Sequence, residues 1–266
     1  MAKRADLKGR WALVTGASSG LGADFARELA ALGCNLVLTA RNEETLRRLA
    51  VELERTRGAK TVVLSADLGA WDSALALYER VQGEQIEVDV LVNSAGFGPF
   101  GDFLELPWEK DRDVLLLNVV AVVQLTKLFA RDMAERGYGR ILQVASTAAF
   151  EPVPSMASYG ASKAFVSSFG EALAFELKGS GVTCTVVSPG YTQTGFFTAG
   201  GQPLSRIKRA SMMESREVAR IGIKAMLKGR PSVIPGFSNA LLIWGSRFAP
   251  RRLAVAMSAR IVRSGS

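Results

Sequence analysis

Ser146, Tyr159 and Lys163 are the side chains whose types and spacing raise the first chemical question. The stretch Tyr159-Gly160-Ala161-Ser162-Lys163 opens a helix, so the phenol and the ammonium, four residues apart, share one helix face. An unperturbed tyrosine titrates near pH 10, too high for an efficient acid/base at neutrality, and a neighbouring cation favours its ionised form. Lys163 is therefore expected to bring Tyr159 down into working range. Ser146 lies just beyond the apolar run Ile141 to Val144, thirteen residues before the tyrosine. The chemistry indicated is proton transfer. The chain contains no histidine, which removes Ser-His-Asp hydrolysis, Cys-His proteolysis and histidine-ligated zinc, and leaves acid/base work to Tyr, Lys, Asp or Glu.

A second constellation lies near the start. Thr15-Gly16-Ala17-Ser18-Ser19-Gly20-Leu21-Gly22 follows an apolar run directly and leads into an amphipathic helix with Ala23, Phe25, Ala26, Leu29 and Ala30 on its apolar stripe. Glycines there let the backbone turn sharply and approach a pyrophosphate, whose charge is favoured by free amides at the helix N-terminus. The loop lacks the Gly-Lys-Ser/Thr ending of a triphosphate-binding loop, so a dinucleotide is favoured. A site that prefers NAD usually places an acid at the end of the second strand. This chain reads Leu38-Thr39-Ala40-Arg41 instead, and an arginine can hold a 2′-phosphate in fork geometry. NADP(H) is the expected cofactor. The plainer reading of Arg41 is a solvated residue that starts the next helix.

Positioning such groups requires a sheet. Short apolar runs rich in Val and Leu alternate with amphipathic stretches, which predicts an α/β fold: a Rossmann-like, doubly wound parallel sheet of about seven strands with helices on both faces. Strands are expected at 11–14, 35–39, 61–65, 88–92, 140–144, 182–187 and 232–234, and helices near 20–32, 42–57, 71–84, 108–136, 158–179 and 215–228. The loops richest in Gly, Pro and Ser all follow strands, where the ligand crevice of an open parallel sheet lies.

With 266 residues, 48% of them hydrophobic and 22% charged, the composition is that of a compact soluble domain. Residues 1–236 are expected to form one dinucleotide-binding and catalytic domain, and 237–266 a basic amphipathic extension. Uncharged stretches are too short for a membrane span, and the N-terminus leaves no room for a signal peptide, so a cytoplasmic location is expected. Cys34 and Cys184 each sit in an apolar run that reads as a strand and are expected to be reduced and inert.

The motifs together resemble the short-chain dehydrogenase/reductase family, in its compact single-domain branch, over about residues 8–235. The matching segments are the Thr15 to Gly22 loop, Asp67-Leu68 after the third strand, Asn93-Ser94-Ala95-Gly96 after the fourth, Asn118 in the long helix, Ser146, Tyr159 with Lys163, and Pro189-Gly190-Tyr191-Thr192 after the sixth strand. Ser94 stands where the family usually has a second asparagine. The resemblance implies that Tyr159 gives a proton to a carbonyl whose oxygen Ser146 holds. It implies that Lys163 binds the nicotinamide ribose and tunes Tyr159, and that Asn118 orders a water chain that resupplies the proton. It further implies that Gly16, Ser18, Ser19, Gly20, Leu21 and Gly22 cradle the cofactor and that Asp67, beside Leu68, meets the adenine. Asn93 and the Ala95-Gly96 backbone would hold the adenosine side, and Thr192, after Pro189 and Gly190, the carboxamide. Read singly, Ser146 is as well a turn residue, Asn118 a helix cap or kink, Thr192 an N-cap and Tyr159 core.

Over the expected site the loops are apolar: Phe97, Pro99, Phe100 and Phe103, then Phe150, Pro152, Val153 and Pro154, then Phe196, Phe197, Met212 and Met213. A lipid-like ketone or aldehyde, of 3-oxoacyl or steroid type, suits such a pocket better than a sugar. The activity expected is a carbonyl reductase, with a silent dinucleotide sensor as its rival. The net charge of +8 is unevenly placed. Residues 201–266 hold 13 Lys or Arg against 2 acids, whereas the first 200 hold 20 against 23. In 237–266, Leu241, Leu242, Ile243, Trp244, Phe248, Leu253, Val255, Met257, Ile261 and Val262 interleave with Arg247, Arg251, Arg252, Arg260 and Arg263 at near-helical spacing. Packing over the body or a second subunit is the expectation, with contact to an anionic membrane surface as the alternative. No nucleic-acid partner is expected, since no base-reading module is visible. A homodimer or homotetramer is the expected assembly.

Overall fold

Runs of Val and Leu without polar alternation bury both faces only when helices cover the sheet on each side, and here they do. The computed structural model describes residues 7–203, 211–246, 248 and 250–263. The strands are β1 (Trp11–Thr15), β2 (Asn35–Thr39), β3 (Thr61–Val63), β4 (Val88–Asn93), β5 (Gly139–Val144), β6 (Val182–Val187), β7 (Thr192–Gln193), β8 (Met213–Glu214) and β9 (Ser232–Val233). Seven form a parallel sheet in the order β3-β2-β1-β4-β5-β6-β9, the Rossmann-like arrangement, while β7 and β8 pair separately. The helices are α1 (Gly20–Ala31), α2 (Glu43–Arg57), α3 (Ser73–Gly83), α4 (Trp108–Leu115), α5 (Ala121–Glu135), α6 (Ala157–Glu176), α7 (Phe196–Ala199), α8 (Ser215–Leu227), α9 (Phe237–Ser246) and α10 (Arg251–Arg263).

Alternate residues of each strand feed opposite cores. Ala12 and Val14 of β1 join Phe25, Leu29, Leu46 and Met226 on the face covered by α1, α2 and α8. Leu13 joins Leu77, Leu125, Phe129 and Met133 on the face covered by α3 and α5. Three polar contacts join α1 to α8: Glu28 accepts from Arg216 at 2.6 Å and Arg220 at 3.1 Å, and Ser215 donates to Asp24. Beneath them Phe25 lies so close to Gly222 that a Cβ there would come within 3.3 Å of its ring.

The structure adds β7, β8 and the short α7 to the sequence-based elements and departs from them elsewhere. β3 ends at Val63, although the Leu64 and Ala66 amides still donate to the Leu38 and Ala40 carbonyls at 3.1 Å; Ser65 donates to Glu43, and its carbonyl accepts from Arg80 at 2.6 Å. The single helix expected over 108–136 is broken by a π-helical turn at Leu116–Val120, with the fully buried Asn118 in it. Cys34 directly precedes β2, whose bounds are those expected. Burial pushes the thiols of Cys34 and Cys184 up to about 12, which leaves both unreactive. The tail holds two helices, α9 and α10, of which Ile243, Ser258 and Val262 are buried against the body. Arg247 and the side chains of Ile261 and Arg263 lie outside the described residues. Among the described residues, Trp108–Glu135 is the one helical run long and apolar enough to cross a bilayer by length and composition, and its Leu125, Phe129 and Met133 lie in the sheet's core.

Candidate active site

Loops leaving the carboxyl ends of β1, β2, β4, β5 and β6 converge where the strand order reverses between β1 and β4, and enclose a cleft of about 930 Å³. One half is a backbone cradle. Gly16 has φ +68°, and a Cβ on it would sit 2.9 Å from the Ala95 Cα; one on Gly22 would sit 2.1 Å from the Gly16 carbonyl oxygen. Only hydrogen fits at either position. Thr15 fixes the neighbouring loop: its hydroxyl donates to the Val92 carbonyl at 3.3 Å and accepts from the amides of Ser94 and Ala95, each at 2.9 Å. Ser19, the N-cap of α1, makes no capping bond, so its side chain leaves the first amides of the helix to an anion.

Ser18, Ser19, Leu21, Arg41, Asp67, Leu68, Ala95 and Gly96 line this half, as the sequence reading places them. Arg41 is exposed and makes no ion pair among the described residues. Asp67 accepts from the Gly69 amide at 3.0 Å, which shapes its own turn. Asn93 does not line the cleft. Its side chain is buried and donates to Thr126 at 3.0 Å and to Gln143 at 3.1 Å, so it ties β4 to α5 and β5 rather than meeting a ligand. A glycine cradle, uncapped helix amides and an unpaired cation at the end of β2 fit a nicotinamide dinucleotide.

The other half holds the chemistry. Tyr159 and Lys163 lie in the first two turns of α6, buried to 9% and 5% exposure, and Ser146, two residues past β5, lines the same cleft. Ser146 accepts from the Ala148 amide at 3.1 Å. Burial pushes the Tyr159 phenol up to about 12, with the Ser146 hydroxyl working the other way. Burial lowers the Lys163 ammonium to about 8. The expectation that Lys163 draws Tyr159 down is therefore corrected. Lys163 Nζ lies 5.9 Å from the centre of the tyrosine ring and donates to the Val144 carbonyl at 2.8 Å, and its own charge is disfavoured by burial.

Asn118 lies below the cleft surface. Its Nδ2 donates to the Phe97 carbonyl at 2.9 Å and to Ser162 at 3.0 Å, and its Oδ1 accepts from the Phe97 amide at 3.0 Å. The side chain so clamps the loop that carries Gly96 across Lys163. Pro189, Gly190 and Thr192 line the far wall, where Thr192 donates to the Gly190 carbonyl at 3.0 Å. Sequence reasoning missed Thr194, whose methyl meets Gly20, and Gly98, where a Cβ would strike the Tyr159 ring at 2.6 Å. A second Thr in Tyr191-Thr192-Gln193-Thr194 was the available signal.

Of the apolar residues expected over the site, Phe97, Val153, Phe196 and Phe197 line the cleft. Phe103 turns out to solvent at 61% exposure, and Phe100 packs behind Tyr159. From the tail, Ser258 and Val262 of α10 also line the cleft, and Val262 packs with Val153, Met156 and Tyr159. Glu151, Tyr191 and Gln202 add polar groups that the loop composition did not reveal as a set.

A glycine cradle and a buried Tyr–Lys pair facing one cleft at the switch point of a parallel sheet mark a dinucleotide-dependent oxidoreductase. The chain belongs to the short-chain dehydrogenase/reductase family: the family model for short chain dehydrogenase matches residues 10–229. It is 33% identical over 220 residues to 17-beta-hydroxysteroid dehydrogenase type 3 of Mus musculus, covering 82% of this chain and 71% of the relative. It is 33% identical over 250 residues to a very-long-chain 3-oxoacyl-CoA reductase of Laccaria bicolor, covering 90% and 72%. Among solved structures it is similar to a short-chain dehydrogenase from Sphingobium yanoikuyae in complex with NADPH (TM-score 0.80, 30% identity, 90% of this chain and 93% of that one). A family member from Burkholderia phymatum in complex with NAD is also similar (TM-score 0.81, 27% identity, 90% and 93%). The family's cofactor is NAD(P).

Proposed function

We propose that the protein is an NADP(H)-dependent carbonyl reductase acting on an apolar, lipid-like ketone or aldehyde of 3-oxoacyl or steroid type. The observation that carries this reading is Tyr159, buried beside Ser146 in a cleft walled by Phe97, Val153, Phe196, Phe197 and Val262. With its phenol pushed up to about 12, Tyr159 carries its proton throughout the neutral range and is set to deliver it to a carbonyl oxygen. Ser146 supplies a second hydroxyl to that oxygen. Gly16 to Gly22 and the α1 amides hold the pyrophosphate, Arg41 the 2′-phosphate, and Asp67 and Leu68 the adenine. When bound, the dinucleotide supplies the hydride. Lys163 holds the ribose side. Asn118 acts at one remove, through the Phe97 backbone. Thr192 and Thr194 wall the nicotinamide end. The names of the steroid and very-long-chain relatives support the substrate class. The deciding experiment follows NADPH consumption over ketones and aldehydes of graded chain length, with Tyr159→Phe alongside. Binding of NADPH without turnover of any carbonyl would favour a dinucleotide sensor.

We read residues 1–236 as the catalytic domain and 237–266 as an extension that completes its cleft. A second contact is supported by the outer face of that extension, where Leu242, Trp244, Phe248 and Met257 are exposed and the segment holds five arginines and no acid. Such a face suits an anionic membrane surface. Co-sedimentation with anionic and neutral vesicles, at low and high salt, tests it. Loss of Leu242→Asp protein from the vesicle fraction supports it; a dimer that dissociates in the same variant, with no vesicle binding, assigns the face to a second copy.

A further inference from the structure

The cleft is apolar around Tyr159 but not along its whole length. Phe196 lies 5.2 Å from Tyr159, Phe197 lies 5.5 Å from Phe196, and Tyr191 lies 5.3 Å from Phe197, ring centre to ring centre. This run of rings leads from the phenol to a group of polar side chains on the same cleft wall: Tyr191, Gln202 and Glu151. Gln202 is 7% exposed, and its backbone amide donates to the Phe197 carbonyl at 2.9 Å; one end of its side-chain amide hydrogen-bonds the Tyr191 hydroxyl, and the other, Oε1, has no partner among the described residues. A buried amide oxygen left unpaired costs about 1–3 kcal/mol, and one that lines a ligand cleft is open to a hydrogen-bonding ligand. Glu151 stands half-buried at the same place, near enough to Tyr191 to influence its ionisation, and burial pushes its carboxyl above the usual range.

We propose that Gln202, Glu151 and Tyr191 form a second recognition site, which holds a hydroxyl carried by the substrate at the end remote from its reacting carbonyl. The proposal rests on the reading of the cleft as a carbonyl-reducing site and narrows its substrate to a hydroxylated apolar ketone. A hydroxyl both donates and accepts, so it satisfies Gln202 in either orientation of the amide. A free carboxylate or phosphate at that end meets Glu151 and is disfavoured. The site positions substrate and takes no part in proton transfer. Its contact is the same in the ground state and the transition state, so it acts on KM and leaves kcat nearly unchanged.

The test compares 2-alkanones of graded chain length, each with and without a terminal hydroxyl, in NADPH-consumption assays on the wild-type protein, Gln202→Leu and Glu151→Ala. At the matching length the hydroxyl is expected to raise wild-type kcat/KM by about tenfold, through KM, as one well-made buried hydrogen bond allows. Gln202→Leu and Glu151→Ala are expected to erase that preference and to keep the plain ketone within about twofold of wild type, the ordinary tolerance for a residue outside the reacting centre. Equal kcat/KM for the two series in the wild type overturns the proposal, as does equal loss on both series in folded variants. Calorimetry keeps the two readings apart: a saturated diol and the mono-alcohol of the same length are titrated into the NADPH-saturated wild-type and Gln202→Leu proteins. If no ketone is turned over, the reductase reading fails, and tighter binding of the diol by the wild type alone still supports the second site. Equal affinities overturn it.

Discussion

The ammonium of Lys163 donates to the main-chain carbonyl of Val144 at 2.8 Å, which anchors it to the end of β5 two residues before Ser146. That anchorage holds a charge where burial opposes it.

Lys163→Met is expected to stabilise the protein while ending turnover. The folded-state value of Lys163 is about 8 against an ordinary 10.5, so the unfolded chain binds more protons between those limits and stability rises with pH across them. Below pH 8 the full penalty is present. Its removal, offset by the lost bond to Val144, is worth on the order of 1–2 kcal/mol, a rise of a few degrees in Tm at neutral pH. Thermal melts at pH 7 and above pH 10 check this, since the gain must shrink at the higher pH. A variant less stable than wild type at pH 7 would contradict the burial argument.

Tyr159→Phe keeps the ring that packs against Phe196 and removes the proton donor. Loss of about 10²–10⁴ in kcat is expected, as for removal of a general acid, with NADPH affinity nearly unchanged by fluorescence titration. Retention of more than about half the activity sinks the assignment, because no general acid is worth so little.

Arg41→Ala is expected to weaken NADPH far more than NADH. Arg41 has no ion pair to lose among the described residues, so the fold is left intact and the measurement isolates the phosphate contact. Equal losses for the two cofactors would reduce Arg41 to a surface residue.

Gly22→Ala puts a methyl 2.1 Å from the Gly16 carbonyl oxygen, and backbone on both sides has no way to yield cheaply. Destabilisation of about 2 kcal/mol or more is expected in urea titrations, with cofactor binding lost first. An alanine variant that binds NADPH normally would show that α1 shifts freely over the loop.

Much of this was legible in advance because backbone chemistry leaves strong marks. The strand bounds at β2 and β6 follow from apolar runs bracketed by turn residues, and the glycine cradle from the spacing of Gly16, Gly20 and Gly22. What stayed hidden depends on direction rather than position. Asn93 and Asn118 occupy strand-end and helix positions, and both side chains turn inward to hold β4, α5 and the Phe97 loop. The π turn at Leu116–Val120 leaves no trace in a helical pattern that continues on both sides. The sign of the Tyr159 shift was misjudged because a four-residue spacing fixes the face of a helix and says nothing of burial, which here pushes the phenol up. Gln202 reaches the cleft only through the packing of its loop beneath Phe197.

The brace between α1 and α8 joins residues 188 and 192 positions apart in the chain. Contacts of that span close late in folding, since the loop entropy is lost before any reward is gained. The glycine cradle, although encoded near the N-terminus, opens a helix that is braced from the far end of the chain. In a refolding chain, helical signal is expected to return before dinucleotide affinity, which stopped-flow circular dichroism and NADPH fluorescence check. Bound nucleotide thus reports on completion of the whole sheet, and draws the final docking step forward by mass action.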